Sequence, residues 1–158
     1  MIKRTTIASL FLALLFVMAG CAAEKTPVIS NAEGTPSLPN IAAGDTVIPV
    51  IQSSYCWERT CADYPGPIKL LKGYLPTVVA PNTSIHIAFD YKPAPNQLHA
   101  SLSVDEYEDQ DIPLTDGAFH APKQPGTYYF SISANWMSDD GRTSKGHTSA
   151  AFGIEVKG

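Results

Sequence analysis

From Tyr128 to Trp136 the chain alternates: Tyr128, Phe130, Ile132, Ala134 and Trp136 occupy one parity, and Tyr129, Ser131, Ser133 and Asn135 the other. A period of two matches a strand, whose side chains point to opposite faces in turn. It does not match a helix, whose apolar stripe recurs every three or four residues. Such a strand has one apolar face that another layer must cover, which excludes a single open sheet.

The same pattern recurs. Ile85, Ile87, Phe89 and Tyr91 alternate with His86, Ala88, Asp90 and Lys92; Leu98, Ala100, Leu102 and Val104 alternate with His99, Ser101 and Ser103; Ala150, Phe152, Ile154 and Val156 close the series. Val47, Pro49 and Ile51 share a parity, and Pro49, lacking an N–H, makes that piece an edge strand or a strand end. Pro65-Gly66-Pro67, Pro81-Asn82, Pro93 to Asn96, Asp116-Gly117, Pro125-Gly126 and Asp139-Asp140-Gly141 punctuate the runs with turn chemistry. About seven short strands with polar outer parities predict an all-β antiparallel sandwich over residues 46–158, with one helical turn near Ile68 to Lys72. Residues 22–45, rich in Pro and Gly and without a period, read as a flexible linker, or else as an extended arm along the domain.

Pro125-Gly126-Thr127-Tyr128-Tyr129-Phe130 resembles the start of the penultimate strand of immunoglobulin-like domains, where a Gly-x-Tyr corner precedes a core residue. That core residue is a cysteine in antibodies and Phe130 here, so the resemblance is to the broader immunoglobulin-like and fibronectin-like sandwiches. It implies a Tyr128 that lies in the core with its hydroxyl bonded to an upstream backbone carbonyl. An ordinary strand after a Pro-Gly turn is the alternative.

At the other end of the chain, Lys3 and Arg4 precede an apolar run from Ile7 to Gly20, which ends in Met18-Ala19-Gly20-Cys21. About 20 apolar residues are needed to cross a bilayer, so this run is short for a membrane span. It resembles the signal peptide and lipobox of bacterial lipoproteins. The resemblance implies removal of residues 1–20, a diacylglycerol thioether on Cys21, and attachment to a membrane through that lipid. Cleavage after Ala23 is the competing reading. Ala22 after the cysteine implies outer-membrane sorting in a Gram-negative source, and the outer face of the only membrane in a Gram-positive one.

Without residues 1–20 the chain keeps 9 of its 11 basic residues against 15 acidic ones, a formal charge of −6. Nucleic acid is a poor partner for that charge. The same charge argues against adsorption onto anionic headgroups, so membrane attachment is expected to come from the lipid and not from the folded surface.

Ser54-Tyr55-Cys56-Trp57-Glu58-Arg59-Thr60-Cys61-Ala62-Asp63-Tyr64-Pro65 is the most distinctive segment. Outside the cytoplasm Cys56 and Cys61 are expected to pair as a structural staple; the Cys-x-x-Cys spacing of redox pairs is missing, and a zinc site lacks further thiols. Trp57 either covers the end of the core or projects as a contact. In the second case Tyr55, Trp57, Tyr64 and Tyr74 form an aromatic binding face.

His86 and His99, on outward parities of two strands, are weak metal candidates if those strands are neighbours, with Asp90 or His120 completing the shell. Asp105, Glu106, Glu108, Asp109, Asp111 and Asp116 crowd into one stretch, which suggests a solvated hairpin and, as runner-up, a calcium site without the usual Gly-centred loop. No catalytic residue and no cofactor are assigned: there is no Gly-x-Ser-x-Gly, His-Glu-x-x-His or phosphate-binding glycine loop.

With Ser-Tyr-Cys-Trp at 54–57, Cys-Ala-Asp-Tyr-Pro at 61–65, the strand from Ser131 to Trp136 and Ser144-Lys145-Gly146, residues 50–157 resemble small lipoproteins of Bacillus-type bacteria, to which no activity is attached. The sequence therefore leaves two functions. One is a lipid-anchored binding module for a cell-envelope protein, a wall polymer or a small ligand. The other is a lipoprotein with a metal or hydrolytic site on the sandwich.

Overall fold

The computed structural model describes residues 36–158. The expected signal peptide and the expected lipidation site, Cys21, lie outside the described residues. Eleven strands and one helical turn follow in order: β1 Asn40–Ala43, β2 Thr46–Ile48, β3 Ile51–Trp57, β4 Thr60–Ala62, α1 Pro67–Leu70, β5 Thr77–Val79, β6 Ser84–Ala88, β7 Gln97–Ser103, β8 Asp109–Ile112, β9 Ala118–His120, β10 Gly126–Met137 and β11 Ser144–Val156.

They form the expected all-β sandwich. One sheet has the order β2-β1-β6-β9; the other runs β4-β3-β11-β10-β7-β8, with β5 joined to β11. All pairings are antiparallel except that of β5, which runs parallel to β11. The inward parity of β10 is the one its sequence shows: Phe130, Ile132, Ala134 and Trp136 are buried. Phe130 and Ile132 share one core with Ile41, Ile48, Ile85, Ile87 and Phe119 from the facing sheet. Phe119 bridges the layers, its ring 5.3 Å from that of Phe130, which stacks in turn on Phe152 at 5.1 Å. Each such side chain contributes about 1.5–3 kcal/mol by leaving water, so this row supplies much of the cohesion between the sheets.

β11 pairs with β10 along its whole length, with β3 along its first half and with β5 along its last three residues. Its outward parity is buried as well, at Ser149 and Ala151. The connection between β4 and β5 crosses that face. It carries α1, opened by Pro67 at the first helical position, where the missing N–H costs nothing. Leu71 is buried there, and Pro76 and the Tyr129 ring lie over Gly153. Small residues on the outer side of β11 are what let this partial third layer approach.

Two expectations need correction. The domain does not begin at residue 46, and the linker does not extend to 45. Residues 40–43 form β1, registered against β6, with Leu38, Ile41 and Ala43 in the core, so the extended-arm reading fits this part of the segment. Four residues with one polar break carry too little pattern to register as a strand. The parity around Pro49 is also reversed: Val47 is 70% exposed while Ile48 and Val50 are buried. β2 is an edge strand, as its proline suggested, but the chain leaves one sheet at Pro49 and joins the other at Ile51, so no parity carries across.

The corner at Tyr128 is formed. The hydroxyl donates to the Gln124 carbonyl at 3.0 Å while the ring packs against the core.

Candidate functional site

Residues at one end of the sandwich converge from five places. In β3, a register shift opposite Thr148 and Ala150 puts Tyr55 and Trp57 on the inner side and Cys56 on the outer side. Cys56 lies directly opposite Cys61 in the β3-β4 hairpin, with Cα atoms 4.1 Å apart, and the two form a disulfide. Both cysteines are exposed. Glu58, in the turn, takes a φ of 54°, a left-handed conformation that costs a residue with a Cβ roughly 1 kcal/mol. The cross-link closes the hairpin around it.

Trp57 lies against Gly146 of β11, its register partner. Its ring meets Trp136 edge-to-face at 4.9 Å and Tyr91 at 5.1 Å; Trp136 also meets Tyr91 at 5.6 Å and Phe89 at 5.7 Å. Edge-to-face pairs of this kind add about 0.5–1.5 kcal/mol each beyond the area they bury. The buried Trp136 donates its indole N–H to the Pro93 carbonyl at 2.7 Å. Asn96 fastens the same loop, donating to the Met137 carbonyl at 3.0 Å and accepting from the Met137 N–H at 2.8 Å. Tyr91 is the most open member of the cluster, 40% exposed.

The structure therefore does not assemble the four-residue aromatic face proposed from sequence. Tyr55 is buried on the inner side, and Tyr64 lies beyond β4, its N–H donated to the Ser54 hydroxyl. Tyr74 borders a small hollow on the outer side with Ile51, Leu71 and Tyr129. Proximity in sequence misled because the sheet lies between Trp57 and Tyr74. The real partners, Phe89, Tyr91 and Trp136, were visible as inward parities of two other runs.

The metal pairing of His86 and His99 fails for a related reason. β6 and β7 follow each other in the chain but belong to opposite sheets, and each histidine is exposed on its own outer face. His86 instead lies 3.1 Å from the Ser84 hydroxyl, and His120 lies 3.0 Å from the Asn82 carbonyl oxygen. Among the described residues no group of three His, Cys, Asp or Glu side chains is placed to hold a metal ion.

His147 belongs to no motif in the sequence and is expected there as a solvated surface histidine, yet burial alters its chemistry. It sits half-buried on the outer face of β11, with Nε2 3.0 Å from the Ser133 hydroxyl and 3.5 Å from that of Ser149. Burial pulls its pKa below the usual imidazole value by penalising the charged ring. No carboxylate among the described residues orients this ring, so the contact lacks the third group that activates a serine.

The acidic stretch forms the expected hairpin, with β8 antiparallel to β7. Asp105 accepts the N–H groups of Tyr107 and Glu108 at 2.7 and 2.9 Å, and Asp109 accepts the Ser103 hydroxyl at 2.7 Å. Lys69 of α1 pairs with Glu106 at 2.9 Å and lies 5.3 Å from the centre of the Tyr107 ring. Tyr107 is 91% exposed at the tip. Two of the carboxylates are thus spent on the hairpin's own donors, and Asp116 lies apart in the turn before β9.

These features define a two-sheet sandwich with a stapled hairpin and an aromatic end. No protein-family model, curated protein or solved structure matches the chain.

Proposed function

We propose that the chain is an extracytoplasmic lipoprotein, held at a membrane through acyl chains on Cys21, whose sandwich serves as an interaction module in the cell envelope. The observation that carries this reading is the exposed Cys56–Cys61 disulfide. A solvent-accessible disulfide persists in oxidising compartments and is reduced in most cytosols, which agrees with a chain exported behind a lipobox. Each buried acyl methylene contributes about 0.8 kcal/mol, so two or three chains make release slow.

For the interaction role, the support is Tyr107. A large amphipathic ring held out at the tip of a hairpin, with its backbone pinned by Asp105 and its flank by Lys69, is a contact whose ordering cost is already met. Its acidic neighbours suit a partner with basic groups, whether an envelope protein or a wall polymer carrying amines.

The test has two readings. Mass analysis of the N-terminal peptide from purified membranes is expected to give a diacylglycerol-modified Cys21; a free thiol in membrane-derived protein overturns the anchor. A photo-crosslinking residue at position 107 is expected to give a discrete adduct in intact cells that is lost in a Lys69→Ala, Asp105→Ala background. Absence of any discrete adduct overturns the hairpin as the contact, and an adduct that persists in that background overturns the pinning by Lys69 and Asp105.

A further inference from the structure

We propose that the aromatic end of the sandwich lies against the bilayer that holds the anchor, with Tyr91 and Trp57 at the boundary between headgroups and acyl chains. This rests on the lipidation of Cys21 in the reading above. Strand order and register fix the geometry. Asn40, where the chain joins the first sheet, is registered with Ala88 and bonded to Asp90, immediately beside Phe89 and Tyr91. Pro36 is four residues away and so at most about 14 Å from Asn40.

Residues 21–35 reach at most about 50 Å when fully stretched. β11, with 13 residues, makes the body about 40 Å long. For the opposite end to face the bilayer, the tether has to run back along that length, using most of its reach. With the aromatic end toward the bilayer it does not. The tether therefore disfavours the inverted placement by restricting its own conformations.

The chemistry of the contact suits the interface. Tyrosine and tryptophan rings with a polar handle settle where one side is apolar and the other wet. The exposed aromatic area is small, and it need not be large. Once the lipid has fixed the protein to the membrane, the second contact is intramolecular, and millimolar effective concentrations let a weak patch stay engaged. Asn96 and the Trp136 indole bond hold the Tyr91 loop in place beforehand.

The chain's two tryptophans, Trp57 and Trp136, both lie in this cluster, so their emission reports the end in question without a label. The lipidated full chain is reconstituted in phosphatidylethanolamine–phosphatidylglycerol vesicles, with and without bromine on the upper acyl carbons. Bromine is expected to reduce the emission, Tyr91→Ser to weaken that loss, and a Tyr107→Trp variant to add emission that bromine leaves untouched. Unquenched emission from protein that floats with the vesicles and carries a diacylglycerol Cys21 overturns the orientation and leaves the anchor standing. Protein without that modification overturns both.

Discussion

The ring of Trp57 occupies the space where a side chain on Gly146 would begin: a Cβ there would lie 2.4 Å from Cε3 and Cζ3 of the indole. The two residues are cross-strand partners, and the glycine is what allows the indole to lie against β11 and reach Trp136. Gly146→Ala forces the ring out or the strands apart. The expected cost is about 1–3 kcal/mol, the range for overpacking. Thermal unfolding checks it, with a change in tryptophan emission as the local signature. An unaltered melting temperature and spectrum refute the packing described here.

The Cys56–Cys61 cross-link closes a short loop at a sheet edge. Loop-closure entropy for such a ring gives about 2 kcal/mol, and because both cysteines are exposed, reductant reaches them in the folded state. Replacing both by serine, or adding dithiothreitol, is expected to lower stability by that amount while leaving far-ultraviolet dichroism near its native form. Loss of the β signature on reduction means the hairpin supports far more than its own edge.

His147 makes stability depend on pH. Its folded pKa lies below the unfolded value near 6.5, so the native state prefers the neutral ring. Stability from this group is complete above about pH 6.5 and falls as pH drops from there through the depressed folded value, because protons bind the unfolded chain first. Denaturant midpoints measured from pH 7.5 to 5 are expected to decline, and His147→Gln to flatten the decline. A variant whose pH profile overlays the wild type assigns the effect elsewhere.

Tyr128→Phe removes the hydroxyl donated to Gln124 and keeps the ring. The expected loss is about 1 kcal/mol, typical of a single net hydrogen bond. Urea unfolding with an unchanged slope and a lower midpoint is the predicted outcome; an unmoved midpoint means water replaces the bond at no cost.

What the sequence could show follows from range. Parity is local, and the long runs of β10 and β11 display it over enough residues that Phe130, Ile132, Phe152 and Ile154 were legible as core. β1 has four residues, and β2 ends at a change of sheet, so the same rule missed one and inverted the other. Which strands are neighbours is not local at all. His86 and His99 sit on successive strands thirteen positions apart, yet both layers separate them. The aromatic end is an intermediate case: Phe89, Tyr91 and Trp136 had the correct parity, but Trp57 lies beyond a register shift and no rule of spacing joins it to Tyr91 and Trp136. The disulfide was legible because compartment and spacing alone suffice for it. His147 was not, since its burial depends on neighbours that only the assembled sheet supplies.

β11 follows in the chain every strand it pairs with. During synthesis, β3, β5 and β10 therefore emerge with the edges that belong to β11 still open, and the larger sheet has no middle until residues 144–156 arrive. Such late, long-range pairing slows folding and leaves adhesive edges exposed while it lasts. A chain of this design is most vulnerable to aggregation in the interval before its last strand is delivered, and any escort that shields it has to act on the incomplete intermediate and not on the finished sandwich.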